Sequence, residues 1–398
     1  MPSPSPDHPG LFIRDPFHFS DAMLIIPPLL VECLHCFDGR QTDLDLRAAL
    51  VRLTRDFEVG DIQRNLVETL SNAGFLEDET FRQIEEQARA GFAAAPVREA
   101  AHAGSAYPAE PGPLRETMQR YLADGRAEAA SAAPASADGL FAIAAPHVSP
   151  EGGWQSYRAA YRLLEAGHRD RTFVILGTSH YGEPERFGMT RKNFVTPLGE
   201  ARSDQRLVDW LAARGGPAVA MEDYCHSFEH TVEFQVVFLQ HILGPDVRIL
   251  PILCGSFARS IYQGGAPEDT DGVKAFLEAL GELNDREGDR LFWVLGVDMA
   301  HMGARYGDRF EAAANEGVMG EVGARDEARI ERINACDPGG FWDLVRENRD
   351  DLKWCGSAPF YTFLKAAPQA RGRLLQYEQW NIDQQSVVSF AGMSFSRE

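Results

Sequence analysis

Four short, predominantly apolar runs, at 140–145, 172–176, 247–253 and 291–297, are separated by stretches of helical length. A run that is apolar at nearly every position has no face to leave in water, so these read as strands buried on both sides of a parallel sheet. Helices expected near 154–165, 204–213, 229–243 and 272–285 would cover the two faces, giving a three-layer α/β/α domain. Helices near 311–333 and 359–366 and strands at 373–377 and 386–395 close the pattern. Three of the four apolar runs pass straight into a histidine: Phe141-Ala142-Ile143-Ala144-Ala145-Pro146-His147, Val174-Ile175-Leu176-Gly177-Thr178-Ser179-His180 and Leu295-Gly296-Val297-Asp298-Met299-Ala300-His301. Open parallel sheets bind ligands outside the carboxyl ends of their strands. Imidazole is the commonest metal ligand and proton carrier. The three strand-end histidines are therefore expected to converge on one pocket.

A chain of 398 residues exceeds one ordinary core and implies more than one domain. A net charge of −20 disfavours nucleic-acid phosphates, so no nucleic-acid partner is expected. No apolar run approaches the roughly 20 residues of a membrane helix, so no membrane partner is expected either. The opening Met1-Pro2-Ser3-Pro4-Ser5-Pro6-Asp7 has neither a basic start nor an apolar stretch, and the expected compartment is the cytoplasm. The six cysteines are too unevenly spaced for a disulfide framework. Cys33-Leu34-His35-Cys36 has CxxC spacing without a second pair, which favours two core thiols over a zinc site.

Residues 1–95 are expected to form a small, mainly helical domain, and 98–398 the α/β domain. Thr42-Asp43-Leu44-Asp45 can cap a helix carrying Leu46, Leu50 and Leu53. A second helix from about Val59 carries Ile62, Leu66 and Leu70 and stops at Asn72-Ala73-Gly74, before a short extended piece at Phe75-Leu76. A helix over 84–97 leads into an Ala-rich linker, and the Ala-rich 127–136 reads as a surface loop. Phe37-Asp38-Gly39 and Ala73-Gly74-Phe75-Leu76-Glu77-Asp78 resemble the winged-helix-like PqqD domain, which implies a peptide or protein partner. Eight arginines and no lysine against sixteen carboxylates leave this part at −8, the wrong sign for a DNA-binding winged helix.

The chemistry-bearing residues sit in Gly/Pro-rich turns. Pro146-His147 precedes Gly152-Gly153, and Gly177-Thr178-Ser179-His180-Tyr181-Gly182 repeats the arrangement one strand later; a helix cap or a surface turn is the plainer alternative for each. In Glu229-His230-Thr231-Val232-Glu233 the two carboxylates lie one helical turn apart beside His230. A local zinc site from His226, His230 and Glu233 lacks HExxH order, and a carboxylate orienting a histidine is the better reading. Asp298 and His301, three apart, could share a proton or raise the histidine's pKa, or Asp298 could simply cap a helix. Cys355, in Trp354-Cys355-Gly356-Ser357-Ala358-Pro359, offers either a thiolate ligand or a nucleophile.

Taken in order, Ala103-Gly104-Ser105-Ala106-Tyr107-Pro108, Pro146-His147, Gly177-Thr178-Ser179-His180, Thr196-Pro197-Leu198-Gly199, Glu229-His230-Thr231-Val232-Glu233, Asp298 with His301-Met302-Gly303, and Cys355-Gly356 resemble the Memo family. In bacteria it is called AmmeMemoRadiSam system protein B, and it is related to the class III extradiol dioxygenases. The resemblance spans about 98–398. It implies one Fe(2+) or Cu(+/2+) per chain held by His147, His180 and Cys355, with His301 as acid/base, Asp298 beside it and His230 lining the pocket. It departs at Ala106, at Val148-Ser149-Pro150 and at Gly296-Val297, all positions of the pocket wall. The implied function is a non-haem redox enzyme acting on a small molecule or peptide. The alternatives are a peptide-binding scaffold or a metal buffer on the same fold.

Overall fold

The computed structural model describes residues 8–123 and 139–397, so the Ala-rich stretch at 127–136 lies outside the described residues. The chain divides into two compact units, Met1–Ala94 and Ala95–Glu398.

In the first unit Thr42 caps the helix Asp43–Thr54: its side chain accepts from Asp45 N–H, and the Asp45 carboxylate accepts from Thr42 N–H at 2.8 Å. Leu46 and Leu50 of that helix meet Leu66 and Leu70 of the helix Gly60–Asn72 in a core that also buries Cys33 completely. A third helix runs Glu79–Ala94. The extended piece expected at Phe75-Leu76 is not a strand. Gly74 takes φ 75°, and the Phe75 N–H closes the helix end on Leu70 O at 2.9 Å, which removes it from any ladder. The strands of this unit lie earlier, as the antiparallel pair Leu11–Arg14 and Met23–Ile26.

The second unit is built on one mixed sheet of twelve strands. Its main path runs His301–Gly303, Ser386–Arg397, Leu140–Ala145, Leu291–Gly296, Thr172–Thr178, Arg248–Cys254, Gly199–Ser203, Asn193–Thr196 and Val97–Arg98. The four apolar runs are its central strands, mutually parallel and buried at nearly every position. Ser386–Arg397 pairs antiparallel with Leu140–Ala145. Alternate residues of the central strands face different helices. Val174, Leu250, Ile252, Trp293 and Leu295 share a core with Phe276, Leu280 and Phe363 of the helices Asp271–Glu287 and Ser357–Ala366. The helices Pro150–Tyr161 and His230–Leu243 pack on the sheet as well, and stack Tyr157 on Phe238 at 4.2 Å. That is the three-layer arrangement. No helix among the described residues is long and apolar enough to cross a membrane.

Two glycines bring the helix His230–Leu243 down onto the strand ends. A Cβ on Gly177 would come within 2.3 Å of Thr231 Oγ1, and one on Gly296 within 2.4 Å of Thr231 O. Only a residue without a side chain permits that approach. The departure from the family pattern at Gly296 thus has a packing reason. It places His230 over the carboxyl ends of the strands that lead to His180 and Asp298.

Candidate metal centre

His147 leaves the strand Leu140–Ala145 through Pro146 and is almost fully buried. Its Nδ1 lies 2.9 Å from Gly296 O. A carbonyl can only accept, so Nδ1 carries the proton and Nε2 is left as the lone-pair nitrogen. His180 and His230 share a single buried carboxylate, Glu229, the N-cap of the helix His230–Leu243. Glu229 accepts the His180 N–H at 2.9 Å and the His230 N–H at 3.0 Å, and lies 3.1 Å from His180 Nδ1 and 3.0 Å from His230 Nδ1. The helix amino terminus adds partial positive charge beside that anion. The three rings then stand 5.0–5.3 Å apart, centre to centre. One ring nitrogen of each lies within 4.8 Å of one in both others, close enough for a shared ion.

Cys355 joins this group from the far end of the sequence. Its Sγ is 3.3 Å from His147 Nε2 and 3.7 Å from Asp298 O. Thr178, at the end of the strand leading to His180, donates its hydroxyl to Cys355 O at 2.9 Å and fixes the loop. Asp298 turns towards His147: its Oδ1 accepts the backbone N–H of His147 at 2.9 Å and of Val148 at 3.2 Å, and its Oδ2 is 3.4 Å from His147 Nε2.

The pairing expected between Asp298 and His301 does not form, nor does Asp298 cap a helix. His301 opens the short strand His301–Gly303, and its Nδ1 faces two carbonyls, Met299 O at 2.9 Å and Lys353 O at 3.1 Å. The two side chains are held by different partners and act on each other only through space. Nor is the His301 pKa raised. Burial pushes it down to about 4; Asp298 opposes this, and His147 and His180 reinforce it.

The site's other groups divide by environment. Burial holds His147 well below the usual imidazole range, and the neighbouring His180 and His230 add to the effect. Burial acts the same way on His180, but Glu229 and Cys355 outweigh it and hold that imidazole well above its usual range. Glu229 is correspondingly held well below the carboxylate range: its burial is outweighed chiefly by His180. Burial pushes the Cys355 thiol up, while His180 pulls it down.

With this geometry in view, comparison with known proteins decides the family. The family model for Memo-like proteins matches residues 98–394. The chain belongs to the Memo-like family. A MEMO1 family protein of Aquifex aeolicus is 24% identical over 391 residues, covering 96% of this chain and 95% of its own length. Relatives bearing the same family name in Thermococcus kodakarensis and Methanopyrus kandleri are 29% and 26% identical. They are matched over 100% and 99% of their own lengths by 76% and 75% of this chain. In those archaeal Memo proteins a segment about the size of the second unit accounts for nearly the whole chain.

The local zinc reading fails for this Memo protein. His226 is buried with Nε2 3.1 Å from Gly188 O, and Glu233 is spent on other partners. Glu233 takes Arg98 and the Tyr107 hydroxyl directly, together with the backbone N–H groups of Ala101 (3.1 Å) and His102 (3.0 Å). The His102 ring, thus held, packs 5.6 Å from His230. This layer behind the site was not read from the sequence, although Ala103–Pro108 was recognised as a family motif. Tyr107 was the one signal there, a phenol next to a proline in a segment with no strand or helix pattern.

Proposed function

We propose that this chain is a metal-binding redox protein of the non-haem type, its ion held by His147, His180 and Cys355. One observation carries the reading: three imidazoles have Nδ1 engaged by fixed partners, and a cysteine sulfur touches the nitrogen that one of them leaves bare. The donor set fits iron or copper, because imidazole suits both and a thiolate favours the softer ion. Such an ion would supply one-electron chemistry and positions for dioxygen or substrate.

The chain's own residues then have separable tasks. Gly296 O and Glu229 fix the tautomers of His147 and His180. Asp298, held by two backbone N–H groups, orients the turn that carries His147. His301 keeps its Nδ1 proton on carbonyls, so its Nε2 is the atom that takes or gives a proton; its low pKa keeps it neutral, hence able to accept, at physiological pH. His230 lines the pocket as a further donor backed by the same carboxylate as His180. Six unpaired cysteines suit a reducing compartment, in keeping with a cytoplasmic setting.

Anaerobic purification and loading with Fe(II) or Cu(I) tests the assignment. About one ion per chain is expected in the wild type and little in His147→Ala or His180→Ala; unchanged content in both would refute it. A rival scaffold role has one specific support. Among the described residues the strand Met23–Ile26 pairs only with Leu11–Arg14. A groove of about 420 Å³ lies where Leu24, Ile26 and Leu30 meet Ile62 and Leu66. We propose that this unit engages a peptide. Peptide-array capture by the full chain should weaken in Ile62→Asp; capture indifferent to that change would remove the support.

A further inference from the structure

A cavity of about 320 Å³ ends on His180 and Cys355, at the small end of the range for ligand pockets. It is bounded by the helices Ala258–Gln263 and Pro338–Arg346 and by the start of Ser357–Ala366. Its walls are aromatic: Phe257, Trp342 and Trp354 are all buried. Both indole N–H groups are already committed, Trp342 to Ser260 Oγ at 2.7 Å and Trp354 to Asp326 at 2.6 Å. What the tryptophans have left for an occupant is ring surface.

Besides His180, which is paired with Glu229, three charged residues line the same cavity, and two of them are neutralised. Lys353 holds Asp308 at 2.9 Å, and Asp350 holds Arg329 at 3.1 Å. Arg349 has neither an ion pair nor a hydrogen bond among the described residues. Arg349 is exposed, so its guanidinium is accessible to an anion that enters the cavity from solvent. The backbone holds it there against preference. Asn348, Arg349 and Asp350 take φ of 54°, 58° and 53°, in the left-handed region that favours glycine. The conformation is tied down just after Arg349. Asp350 accepts the Trp354 N–H at 3.0 Å, and the Lys353 carbonyl contacts His301.

We propose that this cavity is the substrate pocket of the centre and takes a small organic carboxylate with a flat apolar body. The carboxylate pairs with Arg349, the body lies against Phe257 and Trp354, and the opposite end is presented to His180 and Cys355. A guanidinium fork matches a carboxylate in a bidentate pair, which sets the polarity of binding. The substrate assignment rests on the metal-centre reading; the binding site itself does not.

Calorimetric titration of the full chain with benzoate, and with benzamide as its uncharged counterpart, tests this. Saturable benzoate binding is expected, about tenfold or more tighter than benzamide. Arg349→Ala should abolish that preference and Arg349→Lys retain part of it, with metal content unchanged in both. Equal binding of the two probes, affinity unaffected by Arg349→Ala, or no saturable benzoate binding at millimolar concentration would overturn the proposal. His147 does not line the cavity, so His147→Ala should lose metal and keep benzoate. Benzoate bound by a chain that takes up no metal would sink the metal centre and leave the pocket standing. One metal per chain with no benzoate binding would do the reverse.

Discussion

His147 and His180 occupy equivalent places, each just beyond the end of a central parallel strand, yet the fold treats them oppositely. His147 backs onto a neutral carbonyl and is almost fully buried, so its charged form is disfavoured. His180 backs onto an ionised carboxylate and its side chain is 28% exposed, so its charged form is favoured. His301, also set on carbonyls, follows His147. His230 shares Glu229 with His180. The partner on Nδ1, rather than the position at a strand end, decides what each imidazole can do. His147 and His301 are neutral and ready to accept a proton or an ion; His180 must give up a proton before it can bind one.

Removing the carboxylate should collapse this difference, and we expect the largest effect there. In Glu229→Gln, metal affinity should fall by about 10- to 100-fold, the usual result of losing a carboxylate behind a ligating histidine. Proton release provides a second reading of the same variant. His180 has its pKa raised, so at pH 7 the wild type must expel a proton to bind metal, and affinity should drop as pH falls. Glu229→Gln should release fewer protons, because His180 would already be neutral. In the metal-free protein the signs are fixed in the same way. The contribution of Glu229 is lost as pH falls through its lowered pKa, and that of His180 as pH rises through its raised one. The pair therefore stabilises the apo form most between about pH 5 and 6.5. Proton release equal in wild type and variant would contradict the division. The smallest effect on metal should be at the neutral half's outer member. His301→Ala should keep about one ion per chain, while ascorbate-driven oxygen uptake slows by about 100-fold. Loss of metal from His301→Ala would move that residue into the ligand set.

The legible parts of this molecule are those that a local pattern can encode. Apolar runs of five to seven residues announced the central strands, and the histidines after them were placed by strand direction alone. The Thr42–Asp45 cap was visible as a four-residue signature. Glu229 could be suspected of orienting a histidine, but not of serving two, because His180 lies 49 residues away. The Arg98–Glu233 pair joins residues 135 apart, and nothing in either neighbourhood advertises the other. Asp298 and His301 were misread for the converse reason. Closeness in sequence suggested a hydrogen-bonded couple, but Asp298 binds the backbone of His147 and His301 binds the Met299 and Lys353 carbonyls.

The central claim is that a thiolate from Cys355 and imidazoles from both halves of the site hold one ion. X-ray absorption at the metal edge of anaerobically loaded protein measures this directly. The account predicts a shell containing one sulfur together with imidazole nitrogens, and a shell without sulfur, with most of the metal lost, in Cys355→Ser. A wild-type shell of nitrogen and oxygen alone, or full occupancy in Cys355→Ser, would contradict it.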